Sequence, residues 1–177
     1  TLFYAWYIPF YKYGIIHVDP HPGNYQVDCS NKNKPSLNLL DFGCIRVFPA
    51  NFVKGVIDLY IAMRDDNYDL AIKAYKSWGF NDLSKDLIKV LNVWALYIYG
   101  PLLENKKRQI QDPNAKQNGK EVASNVYKEL KKLGGVAPPK EFVLIDRAAV
   151  GLGSVFMHLN AELNWHKIIE ELIKNFD

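Results

Sequence analysis

The 177 residues carry 22 Lys and Arg against 19 Asp and Glu, a net charge of +3, with 49% hydrophobic and 23% charged residues. That balance is globular and long enough for one domain with a core. It excludes a typical nucleic-acid binder, whose basic stripe is denser than Lys106-Lys107-Arg108 and Lys131-Lys132. Two cysteines, Cys29 and Cys44, exclude a disulfide framework and a Cys/His zinc pattern, and they suit a reducing compartment, as does the lack of an Asn-x-Ser/Thr acceptor.

The chain opens at Thr1 without a Met or a basic leader, and reads as a cut through a longer protein. Residues 1–13 predict a short or bent helix, with Phe3, Tyr4, Tyr7 and Phe10 on one face and Pro9 interrupting it. Gly14 ends that helix and Ile15-Ile16 read as a short buried strand. Residues 17–24 hold too much proline and glycine for anything but a loop. Tyr25–Val27 and Leu37–Leu40 predict two strands joined by an exposed polar connection, Asp28 to Ser36. Beyond residue 48 the pattern turns helical. Val53, Val56, Ile57, Tyr60 and Ile61 keep helical spacing, as do Leu70, Ala74, Tyr75 and Trp78, with Gly79 as a stop. Leu83, Leu87, Val90, Leu91, Trp94 and Ile98 form a stripe with Ser84 as its cap. Val93–Leu103, the longest apolar run, is short of the ~18 residues that span a bilayer, so no transmembrane helix is expected. Glu104–Lys120, with Pro113, Asn118 and Gly119, reads as a mobile surface loop; Val122–Leu133 is a short amphipathic helix closed by Gly134-Gly135. Pro138-Pro139 opens a last long helical pattern through Phe142, Ile145, Ala149, Leu152, Phe156, Leu159 and Leu163.

The chemistry sits in two motifs, His17-Val18-Asp19-Pro20-His21-Pro22-Gly23-Asn24 and Asp41-Phe42-Gly43. Phosphoryl transfer from a nucleotide needs Mg²⁺ to neutralise phosphate oxygens and a carboxylate that accepts or orients the proton of the attacking hydroxyl. Mg²⁺ takes hard oxygen ligands, commonly one or two from protein with phosphates and waters completing the shell. Asp19 offers the base, Asn24 and Asp41 offer the metal ligands, and these two with Gly43 offer part of the nucleotide site. A hairpin of this length returns Asp41 to the neighbourhood of Asn24. Gly43 lets the backbone turn sharply and Phe42 is expected to anchor that turn in the core. Of the two catalytic-loop histidines, His17 fixes the loop by hydrogen bonding, and His21 stands where many kinases hold a Lys that touches the transferred phosphate. An isolated Asp-Phe-Gly is a weak signal; both motifs in chain order with strands between them are a specific one.

At these residues the sequence resembles the UbiB/AarF family of atypical kinase-like proteins. Gly14-Ile-Ile-His17-Val-Asp19-Pro-His-Pro-Gly-Asn24 matches the family's loop throughout, Leu40-Asp41-Phe42-Gly43 its metal-binding segment, and Pro138-Pro139 through Arg147-Ala148 its late helix. The resemblance implies an α+β fold: the mostly helical large lobe of a protein-kinase-like domain, with residues 1–48 as catalytic loop and metal segment and 49–177 as the helical part. It implies ATP and Mg²⁺ as cofactors and an ATP-dependent kinase or ATPase supporting ubiquinone biosynthesis. Its implied partners are the nucleotide, lipid or quinone-pathway intermediates and a membrane surface, but no nucleic acid. The implied location is cytoplasmic and peripheral to the inner membrane in a bacterium, and mitochondrial or plastid in a eukaryote. The Ala-rich nucleotide loop, Lys–Glu pair and Lys-x-Gly-Gln motif that such proteins carry upstream do not occur in residues 1–177. The N-lobe is therefore missing from this chain, and catalysis is expected of the lobe only when joined to it.

No Ala-Pro-Glu segment follows Asp41-Phe42-Gly43, and Val18 replaces the Arg that answers a phosphorylated activation loop, so control by loop phosphorylation is not expected. Competing readings are an aminoglycoside or choline kinase-like phosphotransferase, whose loop is similar but is followed by a different metal segment, and a nucleotide-binding pseudokinase scaffold. Arg147 reads as a structural ion-pair partner, His158 and His166 as surface or packing residues, Cys44 as a small core residue, and Trp6, Trp78, Trp94 and Trp165 as core.

Overall fold

A computed structural model describes residues 1–31, 35–111, 119–134, 138–174 and 176. Leu2–Tyr13 forms helix α1, which buries Phe3, Trp6, Phe10 and Tyr11. The interruption expected at Pro9 does not occur. One backbone hydrogen bond is forgone there, but the buried rings before and after the proline hold both halves against the core, and the helix runs through. Tyr4 leaves the buried face and its hydroxyl donates to Glu171 at 3.0 Å. Gly14 stops the helix at φ 68°, its N–H donating to Phe10 O, and a side chain there would strike the Phe48 carbonyl.

The chain then makes two small antiparallel sheets. Strand β1 (Ile15–His17) pairs with β4 (Ile45–Val47), which the sequence reading missed, in the register Ile16 opposite Arg46. Between them β2 (Tyr25–Asp28) and β3 (Ser36–Leu39) form the expected hairpin, Tyr25 opposite Leu39. Residues 32–34 of its polar connection lie outside the described residues. The loop after β1 is not wholly irregular: Pro22–Asn24 is a 3-10 turn.

Helices α2 (Ala50–Arg64), α3 (Tyr68–Ser77) and α4 (Lys85–Leu103) follow, with Gly79 at φ 92° after α3. The Ser84 hydroxyl accepts from Leu87 N at 3.1 Å, so the cap read from sequence is in place. Helix α4 has 19 residues and is long and apolar enough, by length and composition, to cross a bilayer, which corrects the expectation drawn from Val93–Leu103. A core helix of a soluble protein meets the same measure, and α4 packs on α2 here.

Part of the expected mobile loop after residue 104 is built into the fold. Strand β5 (Arg108–Gln109) pairs with β6 (Glu162–Leu163), and the Trp165 indole donates to Arg108 O at 2.8 Å. Residues 112–118, which include Pro113 and Asn118, lie outside the described residues. So does Gly135. Helix α5 (Gly119–Lys132) starts earlier than expected and takes in Gly119 and Lys120 of the expected loop, and Gly134 follows it at φ 100°. Helix α6 (Lys140–His158) ends earlier than its apolar pattern suggests. Asn160 at φ 48° turns the chain, Leu159 is exposed, Leu163 lies in β6, and a separate α7 (Trp165–Ile173) follows.

Aromatic rings tie these elements together. Phe10, Phe48, Phe52, Trp78, Phe142 and Phe80 form a continuous run with centroid separations of 4.8–5.9 Å, joining α1, α2, α3 and α6. Phe3, Phe156 and Trp165 form a second cluster where α1, α6 and α7 meet. Trp6, Trp78 and Trp165 are core residues as read; Trp94 is half-buried.

Between α1, α3, α4 and α6 lies a cavity of about 90 Å³, walled by Tyr7, Tyr11, Tyr75, Trp94 and Tyr99 and by Asp146. A methyl group on Gly153 of α6, which also lines it, would touch nothing within 4 Å. Trp94 Nε1 donates to Asp146 Oδ2 at 2.5 Å. Desolvation nevertheless dominates and pushes the Asp146 carboxyl up to about 7, the indole bond pulling the other way.

A raised folded-state pKa means that native Asp146 keeps its proton after the unfolded chain has lost it, so its effect on stability worsens as pH rises from about 4 to about 7. Asp146→Asn keeps an oxygen for the Trp94 indole and removes this penalty. Urea denaturation should show the variant gaining roughly 2–4 kcal/mol over wild type at pH 8, with the difference closing toward pH 4. A pH-independent difference would show that Asp146 does not titrate in this range.

Candidate phosphotransfer site

His17 is buried at the end of β1, and its ring joins the two motifs. Nδ1 lies 3.2 Å from Asp19 N, and Nε2 lies 3.0 Å from Asp41 O. A backbone N–H only donates and a carbonyl only accepts, so the pair of bonds fixes one tautomer, with the proton on Nε2. The Trp6 indole donates to His17 O at 2.8 Å and holds the strand from α1. The placement agrees with a histidine that fixes the loop.

Asn24 closes the loop from its other end. Its Nδ2 donates to Asp19 O at 2.9 Å and to Asp19 Oδ2 at 3.2 Å, while Asn24 O accepts from Leu40 N at 2.9 Å. The last bond continues the hairpin to the residue before Asp41. With the amide nitrogen committed to Asp19, Asn24 Oδ1 keeps no partner among the described residues. Asp41 Oδ1 accepts from Gly43 N at 2.8 Å, and its second carboxylate oxygen is likewise without a protein partner among them. Backbone bonds and one imidazole thus link the loop that carries Asp19 and Asn24 to the segment that carries Asp41.

One expectation about the turn needs correction. Phe42 does not anchor it in the core; the ring is 62% exposed beside Leu40 at 59%. Hydrogen bonding holds the turn instead: Ile45 N donates to Phe42 O, and Arg46 Nη1 reaches Gly43 O and Ile45 O. The chain turns at Gly43 as expected, with the glycine outside the left-handed region. What it supplies is room, since a Cβ would stand 3.2 Å from Asp41 Oδ1. Cys44 is half-buried against the core, as read.

His21 is exposed and its Nδ1 accepts from Gly23 N at 3.0 Å, capping the 3-10 turn. It lines a groove of about 850 Å³ together with Asp19, Arg147, Ser154 and His158 and the apolar Leu2, Leu37 and Val155. One face of α6 forms the far wall. At Gly151 a Cβ would stand 2.7 Å from Pro20 Cγ, so the glycine is what lets helix and loop meet. One turn away Arg147 Nη2 lies 3.9 Å from Asp19 Oδ1, with both side chains partly in solvent. That pair is the ion pair expected of Arg147, but it places the cation in the site rather than in a remote part of the fold. His158 bonds to Ser154 O in its own helix, and His166 to Leu102 O.

The donor set fits Mg²⁺: one carboxylate and one amide oxygen, both hard ligands, without sulfur. Among the described residues no three His, Cys, Asp or Glu side chains gather at ligating distance, which such a site does not require because phosphates and waters complete the shell.

Residues 2–75 match the ABC1 atypical kinase-like domain, a span that contains both motifs and runs from α1 into α3. The match bears out the UbiB/AarF-type resemblance read from the motifs. It ends before α4, so the helix that carries Arg147 lies outside the matched residues. No curated protein matches the chain.

Replacing His17 with Leu removes the acceptor of Asp19 N and the donor to Asp41 O together. Chemical denaturation should show a loss of roughly 1–3 kcal/mol, the cost of leaving part-buried polar groups unpaired. An unchanged stability would mean that the two motifs are held by other bonds.

Proposed function

For a chain whose residues 2–75 match the ABC1 atypical kinase-like domain, we propose an ATP-dependent kinase or ATPase of the UbiB type, acting in ubiquinone biosynthesis. The observation that carries the chemistry is the bonded set of Asp19, Asn24, His17 and Asp41. In this reading Asn24 and Asp41 hold Mg²⁺, which when bound neutralises charge on the phosphate oxygens. Asp19 orients the attacking hydroxyl or water and receives its proton as the γ-phosphoryl group leaves ADP. The bond from Asn24 Nδ2 keeps Asp19 Oδ2 oriented for that task, and His17 keeps the loop and the metal segment in register. The groove beside Asp19 is where an acceptor would lie, with Arg147 and His21 at its polar end.

The family resemblance, rather than any feature of this chain, supports the ubiquinone pathway, lipid or quinone-pathway partners and a membrane-peripheral location. Nucleotide binding is completed in this reading by an N-lobe carrying the loop and lysine that residues 1–177 lack.

The test is Mg²⁺-dependent ATP turnover by the intact protein, with lipid or detergent present, wild type against Asp41→Asn. Asp41 is exposed and the variant keeps an oxygen for Gly43 N, so folding should be unaffected. Turnover should fall about 100-fold. Equal rates would place the activity elsewhere and bring forward a scaffold that binds nucleotide without turning it over.

A further inference from the structure

The cavity beside Asp146 is chemically unlike the phosphotransfer groove and shares no lining residue with it. Rings form much of its wall, with Tyr7 and Tyr11 from α1, Tyr75 from α3, and Trp94, Tyr97 and Tyr99 from α4, and aliphatic side chains form most of the rest. Among the described residues Asp146 is the one charged residue that lines it, and no Lys, Arg or His is found there with it. The carboxylate has the Trp94 indole on Oδ2 and no protein partner on Oδ1 among the described residues. Tyr75 and Tyr99 hydroxyls are spent on Asn92 and on Val56 O. Those of Tyr7 and Tyr11 have no hydrogen-bond partner among the described residues.

A carboxylate in an aromatic box is costly unless something positive or hydrogen-donating meets it. Burial raises its proton affinity, as expected of a group without a cation nearby. The faces of aromatic rings attract cations, most strongly where water is excluded. The free space, about 90 Å³, is below the roughly 150 Å³ that admits benzene to an apolar cavity, and well above the 10–15 Å³ that one water needs. A compact head of a few carbons around a nitrogen is of the right order. Gly153 leaves part of that space open, and the rim residues Gln111, Ala149 and Val150 retain solvent contact, which gives a way in.

We propose that this cavity is a binding site for a small alkylammonium group, with Asp146 as its counter-ion and the tyrosine and tryptophan rings as its walls. The cation replaces the missing partner of Asp146 and its methyl or methylene groups fill the space over Gly153. The group belongs either to a free small molecule or to a lipid head.

The experiment is calorimetric titration of the intact protein with choline, with its uncharged isostere 3,3-dimethylbutan-1-ol, and with phosphatidylcholine vesicles. Two variants accompany wild type: Asp146→Asn, which removes the charge, and Gly153→Val, which fills the space and leaves the carboxylate. Choline should bind wild type at least tenfold more tightly than the isostere, and both variants should lose that binding at least tenfold. Asp41→Asn, in the other site, should keep it. Binding of vesicles alone, lost in both variants, would support the same cation site with a lipid head as its source. The proposal is overturned if neither choline nor vesicles bind wild type, if the isostere binds equally well, or if binding survives in Asp146→Asn or in Gly153→Val.

Discussion

The candidate site depends on one buried imidazole. His17 meets the amide of Asp19 with one nitrogen and the carbonyl of Asp41 with the other, and only one tautomer satisfies both. Each motif is a loop with little core of its own, and residues distant in sequence must settle into one geometry. A ring with a donor on one side and an acceptor on the other does this without a flexible linkage. The Trp6 bond to His17 O and the Phe10–Phe48 contact then connect that geometry to the aromatic core. The placement of the polar groups therefore rests on how α1 packs.

Much of this was legible in the sequence because it depends on local patterns. The spacing of apolar residues located α2 to α5 closely, Ser84 announced its cap, and Gly14 and Gly79 marked the helix ends. The match to the kinase-like domain was legible for a different reason: both motifs stand in the chain in a fixed order with strands between them. What stayed hidden was set by distant partners. Strands β4, β5 and β6 are two or three residues long and exist through pairing with other segments, so no periodicity announces them. Leu159 and Leu163 fit the spacing of α6 and yet lie outside it, because Asn160 turns the chain. Phe42 looked like an anchor on composition alone, while the turn had enough hydrogen bonds to form without burying it.

Asp146 and Arg147 show the same limit at the level of side chains. As neighbours in sequence they read alike, as charged residues on an amphipathic helix. In the fold one lines an aromatic cavity and the other reaches Asp19 across an open groove. Successive residues on a helix diverge by about a quarter turn or more, and α6 happens to have a different environment on each side. The carboxylate that burial perturbs is therefore the one away from the loop that carries Asp19.

The contact between Gly151 and Pro20 gives that arrangement a mechanical side. A helix normally meets a loop through side chains, whose rotamers absorb small displacements. Here the absence of a Cβ brings the α6 backbone directly against a proline ring, and neither surface has a torsion free to yield. Helix and loop behave as a bearing without play: a shift or roll of α6 of even a few tenths of an ångström must be taken up by the backbone that carries Asp19.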